Sequence, residues 1–513
     1  MRTARVVLAL ILAVGLMLAG LASQAPPVSE QQAKQVIRFG VNRGAENLDP
    51  VTQDANPDIW AFMQIYQQLV RVNLKGDGYE PDLAERWSTS TDGRTWTFVL
   101  RKNARFSNGD PVKASDAVWS LKRARDTKGP WKWALEAVED IQAKDDFTVV
   151  VSLKEAWAPF LADISLFSNS ILPEKVFKDA KPDDISNKPL GSGPYMLVEW
   201  KKGEELVMKA NPYYHEKGLP KTPELRIRYL PDDASRIIAV QSGDVDGIDY
   251  PPFSRVDELR KDAKLEGQLN PSTAVAHLSL NIREAPLNNV KFRQALAYAT
   301  DRAAIVKAVC FGHCTPATTF LPMTTVFFNK GSKGYGYDLN RAKQLLKESG
   351  VATPMTLKLL FRSNDAVHQP TAVTLKEMWA KLGVNLELEP LDRATATQRY
   401  RANQFQVYIT AWTNDIPDPS QLAAYELGFK ESQSYHSGYQ SAEMDALLGR
   451  GLREMNLDKR RQIYYEIQEL ALRDSPLLWL YYSPYTITLN KKMQGFVQMA
   501  TGPWIFKNVT VGE

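Results

Sequence analysis

The sequence predicts an α/β protein of two bodies, with a smaller α+β unit inserted into the first body. Segments of strand and helix character alternate as β-α-β-α-β between Met355 and Ala411, which is the pattern of a parallel sheet. A β-α-β succession also covers residues 225–250. Residues 81–189 show short strands, turns and one helical stretch instead, which marks the inserted unit. Two such bodies predict a cleft between them, and clefts of this kind are common small-molecule sites.

Alternating apolar residues and glycine stops place the elements of the first body and of the inserted unit. Gly243 ends one helix, and Lys202-Gly203 turns a hairpin. In the first body the expected strands are Val36–Val41, Tyr195–Trp200, Leu206–Ala210, Leu225–Leu230 and Val245–Tyr250, and the expected helices are Trp60–Val70 and Asp233–Ser242. In the inserted unit the expected elements are a strand at Trp96–Leu100 and a hairpin of Ile141–Ala143 with Phe147–Leu153.

The second body shows longer helices, several of which end at a glycine such as Gly350 or Gly383. The expected helices are Phe292–Ala299, Asp301–Val309, Asn340–Ser349, Thr371–Leu382, Arg393–Ala402, Glu443–Leu452 and Lys459–Arg473. The expected strands are Met355–Phe361, Val384–Leu391, Phe405–Ala411 and Leu477–Tyr482, and Tyr485–Leu489 is one more late strand.

Composition and charge narrow the class of protein. The chain has 513 residues, of which 44% are hydrophobic and 24% charged, which suits two or three globular domains. Its net charge is +4, and two of the positive charges, Arg2 and Arg5, lie in the expected leader. Because no basic block of the nucleic-acid-binding type is present, the sequence predicts no nucleic-acid partner.

The N-terminal residues Met1–Ala25 have the composition of a secretory signal peptide. A short basic start precedes an apolar run from Val6 to Ala22, and Ser23-Gln24-Ala25 offers a cleavage site. The alternative is a retained membrane anchor, which the shortness of the run and its two glycines disfavour. No cysteine lies near the cleavage site, so we expect no lipid anchor.

The two cysteines of the chain, Cys310 and Cys314, are separated by three residues. In an oxidising compartment we expect a disulfide that closes this small loop. A metal site of Cys310, His313 and Cys314 is the alternative, but it lacks a nearby fourth ligand and competes with oxidation.

A search for catalytic motifs gives no candidate constellation. The sequence has no Gly-x-Ser-x-Gly elbow, no His-Glu-x-x-His motif and no phosphate-binding loop. The five histidines form no pair with metal-site spacing. We therefore predict no enzyme, no metal and no cofactor, although a secreted hydrolase or chaperone-like factor stays a third hypothesis.

The loop that follows the expected strand Phe405–Ala411 is the candidate site. It begins with Trp412 and contains Asn414, Asp415 and two prolines, which stiffen it because proline fixes φ. Ligands of open α/β sheets bind outside the carboxyl ends of strands, where this loop lies. The alternative is that Asp415 caps a turn and Trp412 belongs to the core.

Several segments in order resemble one family, the large extracytoplasmic solute-binding proteins of ATP-binding-cassette (ABC) importers, in their dipeptide, oligopeptide and nickel-binding class. The matching segments are Asn47–Pro50, Pro81–Trp87, Asp92–Arg101, Phe106–Val112, Gly191–Tyr195, Gly243–Asp246, Arg293–Ala299, and Trp412-x-x-Asp415 with Pro417–Pro419. Each segment is weak evidence alone, whereas the ordered set is highly specific.

The resemblance implies a two-lobed periplasmic-binding-protein type II fold with an additional inserted α+β domain. It implies a monomer that captures di- or oligopeptides in the cleft and delivers them from the periplasm to permease subunits in the inner membrane. A nickel chelate, an opine or a sugar-like solute is the alternative ligand. The implied division is a signal peptide 1–25, lobe I from 36–80, 190–280 and 485–513, inserted domain II over 81–189, and lobe III over 281–484.

The resemblance also implies the binding residues. In peptide-binding members the Asp three residues after the Trp pairs with the α-ammonium of the ligand, and here that residue is Asp415. Arg362 is the candidate for the ligand carboxylate, since a guanidinium binds a carboxylate with two hydrogen bonds, and a merely exposed arginine is the alternative. The remaining candidates around the cleft are Trp412, Asn414, Asn56, Trp133, Tyr435 and His436.

Overall fold

The computed structural model describes residues 36–363, 365–430 and 437–512. The predicted leader and the candidate residues Tyr435 and His436 lie outside the described residues. Within the described residues, the protein has a seven-stranded, a six-stranded and a four-stranded sheet, with three additional two-stranded pairs. We refer to the three large sheets as the first, second and third sheet in that order.

The first sheet gathers strands from both ends of the chain. Val36–Val41 lies at its centre and runs parallel to Glu224–Tyr229 on one side and to Gly247–Asp249 on the other. The order across the sheet is Leu265–Asn270, Tyr485–Asn490, Gly247–Asp249, Val36–Val41, Glu224–Tyr229, Glu205–Ala210 and Tyr195–Lys201. The predicted β-α-β unit and the predicted hairpin around Lys202-Gly203 are therefore confirmed.

The second sheet contains the predicted β-α-β-α-β unit. Met355–Arg362 runs parallel to both Val384–Leu391 and Val407–Thr413 and lies between them. The order across the sheet is Thr315–Pro316, Leu477–Tyr482, Ala274–Leu280, Val407–Thr413, Met355–Arg362 and Val384–Leu391. Ala274–Leu280 pairs inside this sheet, whereas the predicted boundary at residue 280 assigned it to lobe I. The chain passes to the second sheet at the turn signal Asn270-Pro271-Ser272, which precedes this strand, and not after it.

The third sheet belongs to the inserted unit and is antiparallel. Its order is Ala84–Thr89, Thr95–Leu100, Thr148–Leu153 and Val138–Asp145. The last two strands form the predicted hairpin. Ala114–Asp126 packs across this sheet, and their shared apolar core contains Phe98, Leu121 and Val151. This core is separate from that of the first sheet, which includes Phe39, Trp60 and Trp504.

The remaining elements of the described residues are the two-stranded pairs and the helices. The pairs are Val70–Val72 with Tyr79–Pro81, Met493–Gln494 with Thr510–Val511, and Val497–Gln498 with Trp504–Ile505. The α-helices are Asn56–Phe62, Ala114–Asp126, Phe160–Ile164, Glu174–Phe177, Pro182–Asn187, Asp233–Ser242, Phe253–Leu259, Val290–Ala299, Arg302–Cys310, Leu339–Ser349, His368–Ala380, Arg393–Arg401, Ser420–Leu427, Ala442–Arg453 and Leu457–Asp474, with single 3₁₀ turns at Lys132–Leu135 and Phe167–Asn169.

The predicted helix over residues 60–70 is wrong in its position. The helix spans Asn56–Phe62, because Pro57 at its start fixes a helical φ one turn earlier than expected. After the helix, the backbone carbonyls of Gln64 and Ile65 accept hydrogen bonds from the N–H groups of Tyr195 and Gly193 at 3.0 and 2.8 Å. A Cβ at Gly193 would lie only 2.6 Å from the carbonyl of Ile65, so glycine permits this close approach.

Two further features of the described chain bear on the predictions. Cys310 and Cys314 form the predicted disulfide, so their sulfur atoms bond to each other. Among the described residues, no helix combines the length and the apolar character that crossing a membrane requires.

Candidate functional site

The candidate loop follows a strand that lies in the middle of the second sheet. The strand spans Val407–Thr413, two residues further along than predicted, and its residues 407–410 are all buried, because neighbouring strands and packed helices cover both faces. Trp412 therefore belongs to the strand, and the loop begins at Asn414. The carboxyl end of this strand is the position that the sequence analysis expected for a ligand site.

Hydrogen bonds within the loop fix its shape. The side-chain amide of Asn414 donates to the carbonyls of Ile416 and Asp418, both at 2.7 Å, and the hydroxyl of Thr273 donates to the Asn414 carbonyl at 2.7 Å. Ile416 is fully buried and packs into the apolar core of the first sheet. The loop is thus held from both lobes, and the Asn414 side chain serves the loop itself.

Asp418 is the second carboxylate of the loop, and its charge is compensated inside the protein. Arg460 donates two hydrogen bonds to it, at 2.5 and 2.8 Å, and a third to the carbonyl of Gly451 at 2.6 Å. The Asp418 and Arg460 side chains are only 7% and 6% exposed. The guanidinium also lies 5.0 Å above the ring of Phe327, a cation–π contact.

Asp415 is largely buried but has no such cation. Gln421 forms two hydrogen bonds with Asp415. The side-chain amide nitrogen of Gln421 donates to Oδ2 of Asp415 at 2.7 Å, and its amide oxygen accepts from the backbone N–H of Asp415 at 2.8 Å. Among the described residues, no lysine, arginine or histidine lies within 4.0 Å of this carboxylate. Burial raises the pKa of Asp415 to about 7, and the nearby carboxylate of Asp54 adds to the increase.

Above pH 7 the folded protein carries this buried charge, whereas the unfolded chain titrates near the usual pKa of 3.8. Asp415 therefore contributes stability at low pH that is lost as the pH rises through about 7. We expect Asp415→Asn to raise the free energy of unfolding by roughly 2–4 kcal/mol at pH 8 and by roughly 1–2 kcal/mol at pH 5, since the penalty builds up between the unfolded and the folded pKa. Calorimetric melting at the two pH values measures the difference. A variant that is less stable than the wild type at pH 8 would contradict the raised pKa.

Asp415 lines a cavity of about 300 Å³ and is its only lining residue from the second lobe among the described residues. The other lining residues come from the first lobe, such as Trp60, Met63, Thr501 and Trp504, and from the inserted unit. A volume of this size fits a small solute, and the mixture of apolar walls with a few charged groups is typical of a ligand pocket.

The far end of this cavity holds a charge cluster that is paired within itself. Glu216 accepts from Lys507 at 2.8 Å and from Arg71 at 2.9 Å, and Arg71 also bonds Glu80 at 2.7 Å and lies 3.5 Å from Asp82. The cations of this cluster, Arg71 and Lys507, are thus paired with its own carboxylates. Neither of them neutralises the charge of Asp415.

Trp412 and Arg362 lie near the loop but do not line this cavity. The Trp412 ring stacks on Tyr425 with centroids 4.7 Å apart, which favours a role in supporting the loop. Arg362 is the last residue of its strand, and its Nε atom is buried without a hydrogen-bond partner among the described residues. Because the strands of Arg362 and Asp415 are parallel neighbours, both residues lie at the same edge of the second sheet.

Asn56 and Trp133 also lie outside this cavity. Asn56 is the first residue of the helix Asn56–Phe62. Trp133 belongs to a 3₁₀ turn of the inserted unit and packs against the core of the first sheet. Of the candidate residues in the described chain, only Asp415 lines the cavity, and the roles of the others stay predictions.

The lobes contact each other around the cleft. The N–H of Ala158 in the inserted unit donates to the carbonyl of Leu452 at 2.8 Å, and Arg453 forms a two-pronged ion pair with Glu155 at 2.6 and 3.0 Å. The inserted unit and the second lobe therefore contact each other directly, through a backbone hydrogen bond and an ion pair.

Some site residues were missed by the sequence analysis. Gln421, which brackets Asp415, lies on the helix Ser420–Leu427 and carries no motif. Thr501 and Trp504 come from the C-terminal segment, which no sequence pattern connects with the loop. Within the described residues, no group of three or more His, Cys, Asp or Glu side chains is arranged to hold a metal ion.

Comparison with known proteins decides the family. The family model of bacterial extracellular solute-binding proteins, family 5 Middle, matches residues 78–432. The chain belongs to this family.

Curated members of family 5 are similar over most of their length. The probable D,D-dipeptide-binding periplasmic protein DdpA of Escherichia coli is 29% identical over 93% of this chain and 94% of its own. The dipeptide-binding protein of the same organism is 28% identical over 87% of this chain and 89% of its own.

A solved family 5 structure has the same fold. The periplasmic binding protein AgaA of A. tumefaciens R10, in complex with agropinic acid, is 25% identical and superposes with a TM-score of 0.83 over 93% of this chain and 99% of its own. This likeness confirms the predicted fold class, a two-lobed α/β binding protein.

Proposed function

We propose that the chain is the solute-binding component of an ABC importer that captures di- or oligopeptides between its lobes and delivers them to a membrane permease. The observation that carries the proposal is the Asp415 carboxylate, which is buried at a 300 Å³ cavity and has no cationic partner among the described residues. A buried carboxylate of this kind is compensated by an ammonium from outside the chain.

The orientation of the peptide follows from the sheet edge. The α-ammonium would lie at Asp415, and the carboxyl side of the peptide would extend towards Arg362, which ends the neighbouring parallel strand at the same edge of the second sheet. The Nε atom of Arg362 is a donor without a hydrogen-bond partner among the described residues, which supports a role in binding a carboxylate. Closure of the lobes removes water and strengthens both interactions.

The names of the relatives favour this ligand and this compartment. Two E. coli relatives are named as dipeptide-binding, and one of these names includes the periplasm. With residues 1–25 as a cleaved signal peptide, we place the mature protein in the periplasm as well. Family 5 members are solute-binding proteins, and we propose that this one too carries out no catalysis.

A non-peptide solute is the second candidate function. AgaA, whose fold is the same, is in complex with agropinic acid. An opine of this kind also carries acid groups, so Arg362 would suit either ligand.

Calorimetric titration of the purified, refolded protein with Ala-Ala and with agropinic acid separates the two candidates. We expect one-to-one binding of the dipeptide with micromolar or tighter affinity, because a buried charge pair supports such affinities. Binding of agropinic acid with no response to Ala-Ala, Ala-Gln or a tripeptide would overturn the peptide assignment and leave the family unaffected.

A further inference from the structure

The cavity that contains Asp415 has more negative than positive groups in its walls. Among the described residues, four carboxylates line it but only two cations. The carboxylates are those of Asp415, Glu80, Asp82 and Glu216, and the cations are those of Arg71 and Lys507. When all of these groups are ionised, the cavity carries two negative charges in excess. A cavity with such an excess favours a ligand that is itself positively charged.

The charge cluster at the far end of the cavity accounts for one of these two charges. Arg71 lies 2.7 Å from Glu80 and 2.9 Å from Glu216. Its distance to the third carboxylate, Asp82, is longer, at 3.5 Å. Lys507 contacts Glu216 at 2.8 Å and no other carboxylate of the described chain within 4.0 Å. Three carboxylates therefore share two cations.

Asp82 is the carboxylate of this cluster with the weakest compensation. Its side chain is only 4% exposed, and it accepts hydrogen bonds from two neutral donors, the side-chain amide of Gln67 and the backbone N–H of Gln68. Burial raises the pKa of Asp82, so the shared Arg71 does not offset the cost of burying its charge.

Gln67 adds an unused hydrogen-bond acceptor at the same place. It lines the cavity, and its side-chain amide nitrogen donates to Asp82. Its Oε1 atom is buried and has no hydrogen-bond partner among the described residues. An ammonium or guanidinium group at this end would give Gln67 a donor and Asp82 a second cation.

Most of the remaining wall is apolar. It includes the side chains of Trp60, Met63, Phe167, Met499 and Phe506. Lysine and arginine pack their aliphatic stems along apolar surfaces of this kind and keep the charged end in polar surroundings. The walls of the cavity therefore match a long side chain that ends in a cation.

We propose that this cavity binds the side chain of the first residue of the peptide and selects a lysine or an arginine there. The inference rests on the proposed peptide-binding function and specifies its substrate class. The α-ammonium pairs with Asp415, the aliphatic stem packs against the apolar wall, and the side-chain cation lies at Asp82 and Gln67. The two cations of such a ligand balance the two excess charges of the cavity.

Titration calorimetry with Lys-Ala and norleucyl-alanine tests the subsite, because norleucine has the same four-carbon stem as lysine but no ammonium group on it. We expect wild-type protein to bind Lys-Ala at least about tenfold more tightly at low salt. The dipeptides Ala-Lys and alanyl-norleucine carry the same difference on the second residue, which lies outside the cavity. Their affinities should differ by less than about threefold.

Removing a carboxylate of the cluster should reduce the preference for Lys-Ala over norleucyl-alanine. Asp82→Asn keeps an acceptor for the N–H of Gln68 and removes the charge, and we expect a preference of less than about threefold. Glu80→Gln is a second variant at a more exposed position, and it should reduce the preference too, because it leaves Arg71 to the other two carboxylates.

Asp77→Asn is the matched control. Asp77 is exposed, lies in the turn between the strands Val70–Val72 and Tyr79–Pro81, and does not line the cavity. Its removal changes the net charge by the same amount as the other two variants. We expect it to keep the full preference for Lys-Ala.

Four outcomes would overturn the inference. Equal affinity for Lys-Ala and norleucyl-alanine, with binding still dependent on Asp415, would remove the subsite and leave the proposed function intact. An equally large preference for Ala-Lys over alanyl-norleucine would show attraction to the general potential of the cleft. An unchanged preference in folded Asp82→Asn and Glu80→Gln protein would place the cation elsewhere. If no dipeptide binds to folded wild-type protein, the proposed function fails together with the subsite.

Discussion

Replacing Asp415 with asparagine is expected to weaken peptide binding by at least about 30-fold, because the ligand ammonium would enter a dry site without a counter-charge. Truncating one partner of a buried, hydrogen-bonded charge pair costs roughly 2–5 kcal/mol. The asparagine can keep both hydrogen bonds with Gln421, so the loop should retain its shape. Titration calorimetry of wild type and variant with the same dipeptide measures the loss.

Asp54→Asn provides the control for this variant. Asp54 adds negative potential near Asp415, but it is exposed and is already paired with Arg401 at 3.3 Å. Water and salt screen exposed charges, so its removal should change the affinity by less than about tenfold. Equal losses in the two variants would mean that the ligand responds to the general potential of the cleft and makes no pair with Asp415.

The second large effect concerns stability. Arg460→Met is expected to lower the free energy of unfolding by roughly 3–5 kcal/mol, because it leaves the Asp418 carboxylate buried and unpaired. The variant also loses the hydrogen bond to Gly451 and the contact with the Phe327 ring. Since Asp418 closes the loop that holds Asp415, we expect weaker peptide binding as well. Scanning calorimetry and peptide titration measure the two effects.

Arg461→Met is the neighbouring control on the same helix. Arg461 pairs with Asp458, which is 85% exposed, and exposed ion pairs contribute little. We expect this variant to differ from wild type by less than about 1 kcal/mol. If Arg460→Met were as stable as Arg461→Met, the Asp418–Arg460 pair would have no structural role. The double variant Asp418→Leu/Arg460→Met should recover part of the loss, since it removes both charges.

The second sheet shows what local pattern can predict. Met355–Arg362, Val384–Leu391 and Val407–Thr413 are parallel, as the alternation of strands and helices indicated. The position of Asp415 at a strand end followed from the same pattern. Local sequence contained this information, because strand length, crossover helices and glycine stops are all local features. The disulfide of Cys310 and Cys314 was likewise predictable from spacing and compartment.

The first lobe shows where local pattern fails. Residues 60–70 have helical periodicity. The carbonyls of Gln64 and Ile65 nevertheless accept hydrogen bonds from the N–H groups of Tyr195 and Gly193, which are distant in sequence. Tertiary contacts of this kind override helix propensity. The sequence names Gly193 only as part of a segment that resembles the family, and only the structure shows that a close backbone approach requires glycine there.

The cleft residues were hidden for a similar reason. Thr501 and Trp504 line the same cavity as Asp415, and neither carries a motif, so only the structure relates them to that residue. The contact of Gln421 with Asp415 was not predictable from the sequence either, because a glutamine on a helix can have many roles. Asp415 became a candidate because a resemblance to a family implied its role, while the structure supplied its burial and the lack of a cation among the described residues.

The most direct test of the central claim is a titration of wild-type and Asp415→Asn protein with Ala-Ala and with N-acetyl-Ala-Ala. Acetylation removes the ammonium and leaves the carboxylate of the peptide unchanged. If Asp415 binds the α-ammonium, wild-type protein should lose at least about 30-fold in affinity on acetylation, and the variant should bind both peptides equally weakly. Equal binding of the two peptides by wild-type protein would contradict the account.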